Sequence, residues 1–447
     1  MIHKWLSSLS YTRTIALGFL GVILLGSLLL CLPISSRSGE WTPFLNTLFT
    51  ATSATCVTGL VVYDTYTYWS VFGQCVILLM IQIGGIGFMT IITTFAIFRK
   101  KKIGLHERLL LKASAGNTRI GGMVKLAKQI IKGTLIFEGI GALLLAIRFV
   151  PGLGWISGIY YAIFHSISSF CNAGFDLMGR YERFSSLTGY ETDVLINAVV
   201  MLLIIIGGIG FLVWADIIKY RGRFREFSLH SKIVLIVTAF LIILGGIGFL
   251  IFESKGNLHG MNTGERLLSS MFMSVTTRTA GYNTMDLGKL SESGSLLAMV
   301  LMFIGGSPGS TAGGIKTTTF AVVLFSVISI SRGNSEITVS KRRIEPNIVK
   351  QAISIMAVYL TGILTATMII CFLEPFSMRE VLFETISAAG TVGLTQGITT
   401  SLGGISKIIL IILMYGGRIG GLSLLLVFAE KKKEAPIKRP SEQILLG

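Results

Sequence analysis

Four short stretches, VTGL at 57–60, NAGF at 172–175, TAGY at 279–282 and TVGL at 391–394, each set a glycine behind a small or polar pair and ahead of a bulky apolar residue. Their glycines, Gly59, Gly174, Gly281 and Gly393, are 115, 107 and 112 residues apart. Glycine reaches φ > 0 without steric penalty, so a strand carrying one can turn successive carbonyls toward a common axis. A side chain there would narrow the path. Peptide oxygens aimed in this way can stand in for the water around a small cation. Each stretch is followed by a second signature inside an apolar run: GGIG at 84–87, GGIG at 207–210, GGSPG at 305–309 and GGRIG at 416–420. Two linked motifs recurring four times in order imply four copies of one unit.

The elements that must hold these strands are set by composition. With 52% hydrophobic and 14% charged residues and a mean hydropathy of +0.74, the chain reads as an integral membrane protein. Apolar runs near 15–33, 71–98, 130–150, 192–217, 233–252, 294–331, 350–373 and 405–429 are long enough to cross a core of roughly 30 Å, predicting eight spans. The first run is expected to stay in the mature chain, since it is long and lacks a small-residue cleavage site. Of the 39 Lys and Arg residues, 27 fall in the N-terminus, 99–132, 219–232, 332–350 and the tail. By the positive-inside rule both termini and the loops between units are cytoplasmic, in a multi-pass protein of the plasma membrane. The net charge of +17 then belongs to the inner face, where it serves topology and anionic lipid or docks an acidic cytosolic partner; nucleic acid is not expected. Cys31, Cys56, Cys75, Cys171 and Cys371 lack metal or disulfide spacing. Cys56 and Cys171, each three before a repeat glycine, read as small-residue packing.

Between the paired spans lie stretches of about 12 residues near 43–55, 157–170, 264–277 and 378–389, too short to cross. With both flanking spans anchored on the cytoplasmic side, each must enter from outside and return as a re-entrant pore helix followed by an extended strand. Bare carbonyls at that depth are tolerated only inside protein or along a water-filled path. The expected fold is an all-α integral membrane protein with four tandem helix, pore loop, helix repeats around one pseudo-fourfold ion pore. It has eight transmembrane helices plus four re-entrant pore helices. The repeats run 1–98 (pore loop 43–60), 99–219 (157–175), 220–331 (264–282) and 332–430 (378–394), before a basic tail at 431–447.

On these motifs the chain resembles the Trk/Ktr/HKT superfamily of potassium transporters over about residues 15–430, and with eight spans it is most similar to the membrane subunit of bacterial Ktr systems. The resemblance implies K⁺ uptake through a filter formed by Val57, Thr58, Gly59, Asn172, Ala173, Gly174, Thr279, Ala280, Gly281, Thr391, Val392 and Gly393, with K⁺ held at the four glycines. Plant relatives that prefer Na⁺ often carry serine at the first of these, so Gly59 points to K⁺. Sodium, which stimulates relatives, either permeates or regulates. The resemblance further implies a homodimer on a cytosolic ring of RCK-type regulatory subunits. No Rossmann fingerprint is present, so control by a nucleotide (ATP/ADP or NAD) would come only from that partner, with the basic loops and the KKKEAPIKRPSEQ tail at 431–443 as candidate contacts.

The last run of the third unit is too long for one crossing and is interrupted by GGSPGSTAGGIKTTT at 305–319. Gly305, Gly306, Gly309, Gly313 and Gly314, a proline, and the hydroxyls of Ser310 and Thr311 would break a helix. The break is expected near mid-membrane, either as a movable intramembrane gate, which the resemblance also implies, or as a static kink. Arg418 is an ionised group near a helix centre. It either faces the cavity beneath the filter as an electrostatic barrier or pairs with a buried partner. Lys316 does similar work, or snorkels, or caps the second half-helix. Arg278, beside TAGY, is expected to turn from the ion path and brace the loop against a carboxylate or carbonyls. Asp64 and Asp286, five residues after repeat glycines, either concentrate cations at the outer mouth or are ordinary loop acids.

Other functions fit poorly. Gly305, Ser307 and Gly309 match GxSxG, the remote alternative of an intramembrane serine protease. His3, His106, His165, His230 and His259 all fall outside the spans where a base would be needed. GSTAGGIKT at 309–317 nearly spells a phosphate loop, but Ile315 separates glycine from lysine. The chain is not expected to be an enzyme. The serious rival is an alternating-access Na⁺/K⁺ symporter, although such carriers usually show two larger, often inverted, halves.

Overall fold

Long apolar stretches without internal punctuation give the long helices of the computed structural model, which describes residues 11–87, 123–334, 336–340 and 342–420 with Thr90 and Leu109 besides. These helices are α1 (Tyr11–Cys31), α4 (Met123–Leu153), α8 (Leu229–Phe252) and α12 (Pro346–Leu373). All four are long and apolar enough to cross a membrane. Leucines, isoleucines and phenylalanines line their outward faces, Leu25, Leu143, Phe240 and Phe372 among them. Apart from Leu109, the basic stretch at 99–122, the tail at 431–447 and the repeat boundaries at 98 and 430 lie outside the described residues.

Each long helix leads into a short one: α2 (Phe44–Thr55), α5 (Trp155–Phe170), α9 (Thr263–Thr276) and α13 (Met378–Gly390). Local chemistry starts them. Pro43 precedes α2, Gly154 at φ 80° opens α5, and α9 and α13 begin in capping boxes, Asn262 with Glu265 and Ser377 with Glu380. In those boxes the side chains satisfy amide donors left open at a helix start. The short helices are followed by α3 (Val71–Ile86), α6 (Val194–Gly208) with α7 (Phe211–Tyr220), α10 (Glu292–Phe303) with α11 (Thr317–Ser331), and α14 (Gly404–Ile419). A two-stranded hairpin, Thr338–Val339 with Arg342–Arg343, lies between α11 and α12.

The packing closes on itself. Each long helix packs on the short helix that follows it. In addition α3 packs on α5, α6 on α9, α10 on α13, and α14 returns to α2. The short helices are therefore inside, largely buried, within a ring of longer ones.

The second glycine signature departs from the sequence expectation. Only the third was expected to interrupt its span, yet helices end at all four. The run at 192–217 is not one straight span: α6 and α7 meet at 93°. Gly87, Gly210 and Gly420 sit at φ 90°, 96° and 95° where α3, α6 and α14 stop. Earlier glycines of the first, second and fourth signatures let backbones meet, since a Cβ on Gly84, Gly207 or Gly417 would run into the carbonyl oxygen of Thr55, Phe170 or Ala389, whereas Gly305 of the third meets Gly313 of its own loop. Those carbonyls all lie four residues before a repeat glycine, at or beside the last turn of a short helix. In these three units the signature thus seats the following helix against the base of its strand.

Candidate functional site

Each short helix ends in the same backbone figure. Val57, Asn172, Thr279 and Thr391 adopt φ of 57°, 59°, 71° and 51°, and two residues on Gly59, Gly174, Gly281 and Gly393 adopt 98°, 67°, 85° and 93°. The glycines were expected to do so. The residues two before them were named for the site, but nothing in their types signals a left-handed backbone. Three are β-branched, and holding such a residue there costs on the order of 1–3 kcal/mol, strain that typically gathers at functional sites.

Hydrogen bonds from the short helices hold the figure. The amides of Thr58, Ala173, Ala280 and Val392 donate to the carbonyls of Ser53, Ser168, Thr276 and Ser387 at 2.8–2.9 Å. The Ser53 and Ser387 hydroxyls accept from the Gly59 and Gly393 amides at 3.1 and 3.0 Å. Ser168 and Thr276 donate to the Phe175 and Tyr282 carbonyls at 2.7 and 2.5 Å. Sequence reading missed these supports, though a signal was present: serine stands six residues before the glycine in three of the four units.

The four strands meet. A Cβ on Gly59 would come 2.7 Å from the carbonyl oxygen of Ala173, one on Gly174 2.6 Å from that of Ala280, and one on Gly281 2.5 Å from that of Val392. On Gly393 it would collide with the Thr58 carbonyl. First meets second, second third, third fourth, and fourth first. All twelve residues of these strands are buried. None of their carbonyls accepts a hydrogen bond among the described residues. Buried carbonyls are nearly always paired, and a ring of unpaired ones is an arrangement that can offer oxygen ligands to a hard cation.

Directly against this ring lies the loop from Gly305 to Lys316, between α10 and α11. It is held on several sides. The Ser307 and Thr311 amides donate to the Gly208 and Gly207 carbonyls at 3.0 and 3.2 Å, and the Gly309 carbonyl accepts from Phe211 at 2.8 Å. The Gly314 amide donates to the Gly417 carbonyl at 3.3 Å. Thr311 Oγ1 donates to Asn172 Oδ1 at 3.0 Å, so the loop touches the second strand. A side chain on Gly313 would collide with Thr391 of the fourth. Ser310 Oγ donates to the Ser307 carbonyl at 2.7 Å, closing the turn internally, and Gly306 accepts from the Thr317 amide at 3.0 Å.

Arg418 reaches this loop from the last turn of α14. Its guanidinium donates to the carbonyls of Thr311, Gly84 and Gly85, the last at 3.2 Å. A cation among the free carbonyls where α3 ends is favoured by the helix dipole. The side chain therefore ties the third unit's loop to the first unit's helix end. Lys316 stands at the N-cap position of α11 but makes no capping bond with its side chain, whose Nζ donates to the Ala312 carbonyl of its own loop at 2.7 Å.

Arg278 turns toward the carbonyls of Thr238 and Gly305, each at 3.4 Å, rather than toward a carboxylate. Asp64 is no solvated mouth acid. It is buried, caps the turn Thr65–Tyr68 through the Thr67 amide at 2.7 Å and accepts from Phe184 at 3.0 Å. Asp286 is exposed and bound to Lys289 at 3.0 Å. Cys171 packs on Gly85 as a small residue should. His165, within α5, is committed to the Tyr161 carbonyl at 2.7 Å and the Leu177 amide at 3.2 Å. Ser307 Oγ faces Thr317 Oγ1 at 3.0 Å, with no histidine beside it among the described residues.

Long lipid-facing helices around a central ring of unpaired carbonyls define a multi-pass membrane transporter. The sequence matches the TrkH cation transport protein family over residues 14–437. It is 44% identical to the potassium/sodium uptake protein NtpJ of Enterococcus hirae over 98% of each chain. It is 40% identical to the Ktr system potassium uptake protein B of Bacillus subtilis over 100% of this chain and 98% of that one. The fold is also that of the potassium transporter TrkH from Vibrio parahaemolyticus, with a TM-score of 0.71 over 92% of this chain and 84% of that one at 16% identity. The chain belongs to the TrkH cation transport family. The family consists of transporters, which removes the protease reading of GxSxG.

Proposed function

We propose that the protein takes K⁺ up across the plasma membrane through a channel-like pore. Four tandem repeats, with eight spans and four re-entrant pore helices, surround one axis, and their strands at 57–59, 172–174, 279–281 and 391–393 form the filter. The observation that carries this reading is the cyclic approach of the four glycines with every strand carbonyl left without a partner among the described residues. The names of the Enterococcus and Bacillus relatives, potassium/sodium uptake and potassium uptake, support the ion. Gly59 in place of serine favours K⁺ over Na⁺.

The loop 305–316 is the gate, and Arg418 is its latch and electrostatic barrier. With the loop bonded to Asn172 and to the ends of α6 and α14, ions leaving the filter meet backbone and a guanidinium instead of water. Opening requires the Thr311 carbonyl to leave Arg418. The termini and inter-repeat loops face the cytoplasm, where a homodimer sits on a ring of nucleotide-binding regulatory subunits of RCK type. A relative named as part of a Ktr system supports such a partner. Sodium stimulates the process.

The test is flux through purified protein in liposomes. Currents that follow the K⁺ gradient with no second ion gradient are expected. Uptake that requires a Na⁺ gradient, in fixed proportion to K⁺, would replace the pore with an alternating-access symporter.

A further inference from the structure

Arg278 is a buried charge that the ion pathway does not use. It stands one residue before the third strand, is 7% exposed, and has no carboxylate partner among the described residues. Its two terminal nitrogens make only long bonds, 3.4 Å each, to the carbonyls of Thr238 on α8 and Gly305 at the start of the loop. Among the described residues its Nε has no partner, and neither has the hydroxyl of Thr238.

Both residues line one small cavity of about 20 Å³, with Ile205, Ile242, Val275 and Gly306 among its other walls. A cavity of roughly 10–15 Å³ on this measure already admits one water-sized occupant. What this one offers its occupant is specific. Its walls combine Arg278, whose partnerless Nε–H is always a donor and which carries a full positive charge, and Thr238, whose partnerless hydroxyl is free to donate, with apolar side chains. A buried charge without a counter-charge is costly. A water molecule would bring two hydrogens needing acceptors and no charge; an anion brings acceptor capacity and the missing charge together.

We propose that this cavity binds one monovalent anion of halide size, with chloride as the ligand, against Arg278 Nε and Thr238 Oγ1. The bound anion neutralises the guanidinium behind the third strand, so that a cation on the axis is not repelled by it. It also joins α8, the third strand and the first glycines of the loop through one occupant.

The experiment uses the full-length protein purified in bromide in place of chloride. A bromide anomalous peak is expected in the cavity beside Arg278 Nε, and Thr238→Val is expected to lose most of it. In parallel, replacing gluconate by chloride at fixed ionic strength is expected to raise the unfolding midpoint saturably, by roughly 2 °C, as for any ligand that binds only the folded state. The rise should shrink in Thr238→Val and vanish in Arg278→Met. No bromide peak, or density there that is the same in bromide and in gluconate, overturns the proposal; so does a midpoint indifferent to halide in the wild type. Neither readout depends on which cation crosses the membrane.

Discussion

A glycine Cα is the only surface that the carbonyls of Thr58, Ala173, Ala280 and Val392 can approach so closely, and that fact was legible at the level of single residues. Gly174→Ala places a methyl 2.6 Å from the Ala280 oxygen and 2.9 Å from the Gly281 Cα, at a φ of 67°. Steric and backbone costs above about 3 kcal/mol follow, so K⁺ flux in liposomes should drop at least ~100-fold with the protein still inserted. The left-handed backbone at Val57, Thr279 and Thr391 was not legible, because β-branched residues oppose it and only the surrounding short helices impose it. Asp64 misled in a different way: its spacing from Gly59 said nothing of the Phe184 amide, 120 residues on, that it holds. Its neighbour Asp176, in the loop beyond the second strand, carries a pH dependence. Desolvation of this half-buried carboxyl lifts it from an ordinary 3.8 to about 7, against the pull of the Met178 amide and with Asp64 adding repulsion. A folded-state value above the unfolded one means that this contribution to stability is intact below pH 3.8 and is lost as pH rises through about 7. The unfolding midpoint of the wild type should therefore sink across that window, and Asp176→Asn should flatten the decline.

At the scale of elements, hydropathy marked the short helices within two residues of where they lie, because glycine, proline and polar caps bound them on both sides. It did not mark the bends. The run at 192–217 reads as one span, since an apolar count carries no direction. The 93° turn between α6 and α7 is set by Gly210 and by the loop amides and carbonyl that bond to Gly207, Gly208 and Phe211, contacts between the second unit and the third. The loop 305–316 was visible as a break because five glycines and a proline cannot continue a helix. Its attachments to Gly207, Gly208 and Gly417 were not visible, being backbone contacts between units. Deleting 309–314 removes the Thr311 contacts to Asn172 and Arg418. The expected outcome in liposomes is a K⁺ flux raised about tenfold or more, and Arg418→Gln should move flux in the same direction by a smaller factor. Unchanged flux in both would reject the gate.

For the whole molecule, repetition was the legible feature, while closure had to come from the fold. Four copies in one sequence fix the number of strands; the contacts of α3 with α5, α6 with α9, α10 with α13 and α14 with α2 make them a ring. That ring positions twelve carbonyl-bearing residues whose own types are mostly small and apolar, which is why no charged or metal-binding cluster announces the site among the described residues. The most direct measurement is a rubidium or thallium anomalous map of the purified protein. Peaks on the axis enclosed by Gly59, Gly174, Gly281 and Gly393, within ligand distance of the strand carbonyls, are what the account predicts. An axis without a peak while the ions bind elsewhere in the membrane region would contradict it.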